Sequence, residues 1–121
     1  MNQFFNGRFV SLKYAIKGFF LLIKTEHSII AQSFLFLCIV ILGFVLGISK
    51  QEWVNQTFAM GLVLSAEGLN TAIEKMADFV HKEHHPKIGF IKDIAAGAVT
   101  FSVVTFIIIF LITYVPYLIN K

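Results

Sequence analysis

The sequence predicts an all-α integral membrane protein in which one amphipathic interfacial helix precedes three transmembrane helices. Three observations lead there. Of the 121 residues, 57% are hydrophobic and 14% charged, with a mean hydropathy of +0.78, which leaves too little polar surface to cover a water-soluble monomer. Residues 29–48 and 94–119 carry no charge over 20 and 26 positions, and as helices each can cross about 30 Å of hydrocarbon. Ahead of both, apolar residues recur at helical spacing beside lysines, the pattern of a helix that lies on a membrane surface.

The elements follow in chain order within a single domain over residues 1–121. In the interfacial helix, residues 1–26, Phe5, Phe9, Leu12, Ile16, Phe19, Phe20 and Ile23 form one stripe. Lys13, Lys17 and Lys24 flank one edge of it, and Arg8, Ser11 and Ala15 the other. The first membrane helix is expected over about 29–48, ending at Gly47, Ser49 and Lys50; the short connection after it returns the second helix antiparallel, over about 54–80. His81 to Pro86 is a polar break, because a proline disfavours helix in the residue before it. The third helix, about 92–117, follows a short amphiphilic segment and ends near Tyr114, Pro116 and Tyr117, which suit a membrane boundary.

Charge and composition narrow the partners. The net charge of +3 comes from dispersed lysines, a poor match to nucleic acid and a better one to anionic headgroups and a phosphorylated substrate. Arg8, Lys13, Lys17 and Lys24 precede the first span, and Lys75, Lys82, Lys87 and Lys92 bracket the second loop, against Lys50 in the first loop and Lys121 at the end. The N-terminus and second loop are therefore expected on the cytoplasmic side of the membrane, in a multi-pass chain. Cys38 is the lone cysteine, so no disulfide forms within one chain.

The strongest chemical signal is a set of polar residues on the second helix. Glu67, Asn70, Thr71, Glu74 and Asp78 fall within a sector of about 100° at helical periodicity. Like carboxylates so arranged repel, and partial burial raises the cost, so something must neutralise them. Hard oxygen ligands without a histidine or cysteine cluster favour magnesium, with Glu74 as first ligand, while Glu67 at the more apolar end is placed to accept a proton from a lipid hydroxyl. Two structural readings stand beside this one: Glu67 pairing with a lysine of another helix, and Asn70 locking helices together by a hydrogen bond. Ion or proton conduction is a third use for membrane acids on one face.

Further along, Lys92 can contact polyphosphate and Asp93 can accept from ribose or base; equally, Lys92 can snorkel and pair with Asp78. Ala95, Ala96, Gly97 and Ala98 make a small face for close helix approach. His81, His84 and His85 read as a solvated loop more readily than as a metal site, having no further ligand at diagnostic spacing. There is no glycine-rich phosphate loop, so a nucleotide must be held by helix ends and side chains.

Glu67-Gly68-Leu69-Asn70-Thr71-Ala72-Ile73-Glu74-Lys75, then Asp78, then Lys92-Asp93-Ile94-Ala95-Ala96-Gly97-Ala98-Val99, strongly resembles the prokaryotic diacylglycerol kinase family, which includes undecaprenol kinases. Ser11, Ala15 and Gly18 resemble that family's N-terminal helix. The resemblance implies a homotrimeric membrane enzyme that transfers the γ-phosphoryl group of ATP, with Mg2+, to a lipid alcohol at sites shared between subunits. It implies Glu67 as general base, Asn70 as a catalytic-site residue, Glu74 as metal ligand, and Asp78, Lys92 and Asp93 near the nucleotide, with Arg8 reaching ATP. The acceptor expected first is diacylglycerol, giving phosphatidic acid; the alternative is undecaprenol, giving undecaprenyl phosphate. One departure bears on that choice: Ile30 and Gln32 stand where the diacylglycerol branch usually has an arginine and a second metal-binding glutamate. Gln32 can still coordinate through its neutral carbonyl, and Glu26 remains a helper at the interface.

Overall fold

A computed structural model describes residues 2–120; the expected first residue of the interfacial helix and Lys121 lie outside them. Four helices follow one another: α1 (Asn2–Thr25), α2 (His27–Leu46), α3 (Lys50–Val80) and α4 (Pro86–Ile119). Local chemistry sets the breaks. Gly47 ends α2 in the left-handed conformation (φ 66°), which costs glycine nothing. Ser49 and Glu52 form a reciprocal capping box that starts α3, each side chain bonding the other's backbone N–H at 3.2 and 2.9 Å. Pro86 occupies the first turn of α4, where its missing N–H costs no hydrogen bond, so the proline starts a helix here.

The expectation of three transmembrane helices is corrected to two. Among the described residues only α2 and α4 are long and apolar enough to cross a membrane. At 31 residues α3 has the length, but Asn55, Gln56, Thr57, Glu67, Asn70, Thr71 and Glu74 interrupt its apolar character. The apolar reading of residues 53–69 gave too little weight to those polar positions. The structure is that of one chain and gives no support to the expected homotrimer. The architecture is an all-α, four-helix chain with two candidate spans.

α3 and α4 share the most extensive interface. Three side-chain links fix their antiparallel register: Tyr117 to Glu52, Tyr114 to Gln56 and Lys92 to Asp78. That register sets Asn70 level with Val99 and Glu74 level with Ala95. α2 completes the core, with Phe36 against Phe106 (centroids 4.8 Å apart) and Ile39, Met60, Val63 and Tyr114 buried beside them. At the far end the Tyr114 hydroxyl donates to Gln56 Oε1 (2.5 Å), with the Ile39 carbonyl 3.2 Å from the same oxygen, and Tyr117 donates to Glu52 at 2.7 Å. Tyr117's hydrogen bond, helped by the capping box, holds the Glu52 carboxyl below the usual carboxylate range.

The outward faces are apolar. Phe34, Leu37 and Phe44 of α2 and Phe101 and Ile112 of α4 are exposed, a patch that a water-soluble chain would not leave open. α1 buries no residue and leaves its aromatic stripe uncovered. Apolar helices thus associate this chain with a membrane.

Candidate functional site

The polar residues gather at the end of the bundle opposite the tyrosine links. Asn70 is buried on α3, and its Nδ2 donates to Glu74 Oε1 at 3.1 Å. A carboxylate only accepts, so the amide nitrogen must face it. The amide oxygen consequently points elsewhere: Asn70 Oδ1 is enclosed and has no partner among the described residues. Gln32 on α2 repeats this, half-buried with Oε1 enclosed and unpartnered. It lies one turn before Phe36, which faces Phe106, and so sits near the level of Ser102 and Asn70.

Unpaired buried carbonyl oxygens are costly and call for a donor or a cation. Like the exposed Glu74 carboxylate that Asn70 bonds, they are oxygen donors of the kind hard cations take. No group of three acidic, histidine or cysteine side chains able to hold a metal exists among the described residues. Magnesium does not need one, since it commonly rests on one or two carboxylates and completes its shell with water and substrate phosphate. The oxygen chemistry of Glu74, Asn70 and Gln32 therefore suits magnesium.

Two turns along α3, Asp78 accepts from Lys92 Nζ at 2.5 Å, with both side chains partly exposed. The pairing weighed as an alternative in the sequence is thus formed in the chain. It edges a cavity of about 250 Å3 whose lining includes His81, Lys82, Glu83, His84 and His85. From Glu67 to Asp78, 11 residues of helix span about 16 Å.

Other expected residues are not drawn into these contacts. Glu67 is half-buried and makes no hydrogen bond or ion pair among the described residues, and Asp93 is exposed and likewise unpaired. Arg8 lies on exposed α1 with its guanidinium over the Phe4 ring, 5.1 Å from the centroid. Gly97 is exposed, and a Cβ there would meet nothing within 4 Å, so its small face is unused within one chain.

Sequence reasoning missed the tie between Lys75 and Glu26, 3.2 Å apart, which joins the start of α2 to α3. Opposite charges 49 positions apart carry no local signal. This ion pair closes one end of an apolar groove of about 860 Å3 between α1 and α3, lined by Gly18, Leu22, Gly68 and Ala72. At Gly68 a Cβ would come within 3.2 Å of Leu22, so a bare backbone lets α1 approach beside Glu67. A similar groove of about 840 Å3 around Trp53, Thr57, Gly61 and Ser65 has no carboxylate in its lining.

Fold and site define a small membrane-associated helical protein whose polar end carries carboxylate and amide oxygens, a lysine and a histidine-rich loop. The sequence profile of the prokaryotic diacylglycerol kinase family matches residues 13–114. The chain is 34% identical to an undecaprenol kinase of Bacillus subtilis over 116 residues, covering 96% of this chain and 91% of that protein. It is 32% identical to a diacylglycerol kinase of Haemophilus influenzae over 89 residues, covering 74% and 75%. The chain belongs to the prokaryotic diacylglycerol kinase family. It is a lipid-kinase-type phosphotransferase that acts on a membrane alcohol, and ATP- and magnesium-dependent transfer is the general chemistry of its family.

Proposed function

We propose that this chain phosphorylates undecaprenol, and that diacylglycerol, the acceptor expected first from the sequence, is the poorer substrate. The observation that carries this reading is the match to an undecaprenol kinase along nearly the whole chain. Neutral Gln32, where the diacylglycerol branch usually carries a glutamate, agrees with it. The isoprenoid tail lies in the groove between α1 and α3, whose lining is chiefly aliphatic and alanine or glycine. Its hydroxyl comes up beside Gly68, within reach of the Glu67 carboxylate.

Glu67 takes the hydroxyl proton as the alcohol oxygen attacks the γ-phosphorus of ATP. A new oxygen–phosphorus bond forms, the bond from that phosphorus to the β–γ bridging oxygen breaks, and ADP leaves. Bound magnesium supplies charge neutralisation to the phosphates. Glu74, Asn70 and Gln32 offer the oxygens that hold it, and Asn70 keeps Glu74 oriented by its amide. Lys92, held by Asp78, contacts the polyphosphate as a point charge, Asp93 accepts from the nucleoside, and Arg8 reaches the phosphates from α1. The polar end of the bundle, where Glu26 meets Lys75 and Asp78 meets Lys92, faces the cytoplasm, where ATP is supplied.

The test presents the purified protein, in lipid bilayers with labelled ATP and magnesium, with separate pools of undecaprenol and diacylglycerol. Faster transfer to undecaprenol is expected. Equal or faster transfer to diacylglycerol refutes the acceptor choice, and no transfer to either refutes the enzyme.

A further inference from the structure

The first turn of α4 is held by a group that can accept a hydrogen bond in only one protonation state. His85 is the N-cap, with extended backbone (φ −139°, ψ 133°), and its Nδ1 accepts from the Lys87 N–H at 3.1 Å. The usual cap is a serine, threonine or asparagine oxygen, which does not titrate in the neutral range. An imidazole nitrogen that gains a proton becomes a donor and loses the bond. Its new charge then sits at the positive end of the helix dipole, so both effects release the turn.

That turn is coupled to the site. The Gly89 N–H bonds the His85 carbonyl at 2.9 Å, and Lys92, a turn further on, reaches back to Asp78. The His85 ring stands edge-on to His81, centroids 5.3 Å apart, and His81 is itself tied through Nδ1 to the Glu83 carbonyl at 2.7 Å. The titratable and charged groups around this unit are His81, Lys82, Glu83 and His84 in the loop, Asp78 on α3, and Lys87 and Lys92 on α4.

We propose that His85 is a pH-sensitive positioning residue: as a neutral N-cap it fixes the first turn of α4, and with it the placement of Lys92 on the nucleotide side, and protonation releases that turn. Only the released state accommodates a proton on Nδ1, so capping holds on the alkaline side and is lost as pH falls. Imidazoles change charge between about pH 5 and 8. The activity readout rests on the kinase reading above; the exchange readout below does not.

The experiment uses the full chain in lipid bilayers and measures KM for ATP and kcat from pH 8 to 5.5 for wild type, His85→Asn and His85→Ala. Asparagine caps without titrating. One N-cap is worth about a fivefold change in an equilibrium constant, so the wild-type KM should rise about fivefold more than that of His85→Asn on acidification. Comparison with His85→Asn is essential because the terminal phosphate of ATP titrates nearby, at about pH 6. His85→Ala should show the raised KM already at pH 8, and kcat should follow one pH course in all three. Parallel KM profiles for wild type and His85→Asn overturn the proposal, as does a wild-type KM in His85→Ala. Amide hydrogen exchange at Lys87, Ile88 and Gly89, corrected for intrinsic rates, is read on the same samples. Acid should cost the wild type about fivefold in protection relative to His85→Asn; equal protection in both overturns the cap whether or not phosphate is transferred. The expected exchange pattern without any transfer would instead sink the kinase reading alone.

Discussion

Replacing Lys92 separates two roles that its contact with Asp78 allows. At 2.5 Å the two charges attract by about 1.7 kcal/mol in a water-like dielectric. The side chains are 36% and 62% exposed, so ordering costs and screening reduce the net worth to about 0–1 kcal/mol. A purely structural pair therefore predicts that Lys92→Met lowers stability slightly and leaves turnover nearly intact. A lysine that meets polyphosphate charge in the transition state predicts a loss of about 100-fold in kcat/KM for ATP, or about 2.7 kcal/mol, with the same small stability change. The charge-swapped double variant, Asp78→Lys with Lys92→Asp, sharpens the contrast by restoring opposite charges in reversed order. Phosphate transfer from labelled ATP and thermal unfolding, both in bilayers, give the two numbers. Expected is recovery of stability without recovery of activity; a swap that restores both refutes the nucleotide role.

The remaining expectations concern the acids and the far tyrosine links. Glu67→Gln and Glu74→Gln should each lower kcat by about 100-fold or more, with unfolding midpoints near wild type, because the amide introduced by Glu74→Gln still offers Asn70 an oxygen; full rates in both variants would show the chemistry to be misassigned. Tyr114→Phe strips Gln56 Oε1 of its donor beside an Nε2 that is already enclosed and unpartnered, and should cost about 1 kcal/mol of stability in bilayers, with little change in KM for ATP. Glu52 has its carboxyl held below the ordinary value, so its contribution to stability is present above about pH 4.3 and is lost as pH falls through the lowered value. Acid titration of the unfolding midpoint should therefore fall more steeply in wild type than in Glu52→Gln.

Much of the fold was legible because hydropathy and helical period are local. The uncharged runs at 29–48 and 94–119 lie largely within α2 and α4, and the stripe from Phe5 to Ile23 runs along α1. Gly47 and Pro86 mark breaks by their own backbone chemistry. The third span failed for a reason also in the residues: Asn55, Gln56, Glu67 and Asn70 are spaced so that each window of α3 stays too polar. The Asn70–Glu74 contact was half visible, since positions four apart on a helix are neighbours.

By itself the sequence determined which segments are helical, that the runs at 29–48 and 94–119 are apolar enough to span, and that acids and amides share one face of α3. Only the tertiary structure decided that Lys92 finds Asp78, that Lys75 finds Glu26, that Tyr114 enters between Gln56 and Ile39, and that His85 caps a helix with its ring. Periodicity assigns a residue to a face, but the partner opposite it depends on the axial register of two helices. Packing of side chains such as Phe36, Val63 and Phe106, together with the Tyr117–Glu52, Tyr114–Gln56 and Lys92–Asp78 links, sets that register.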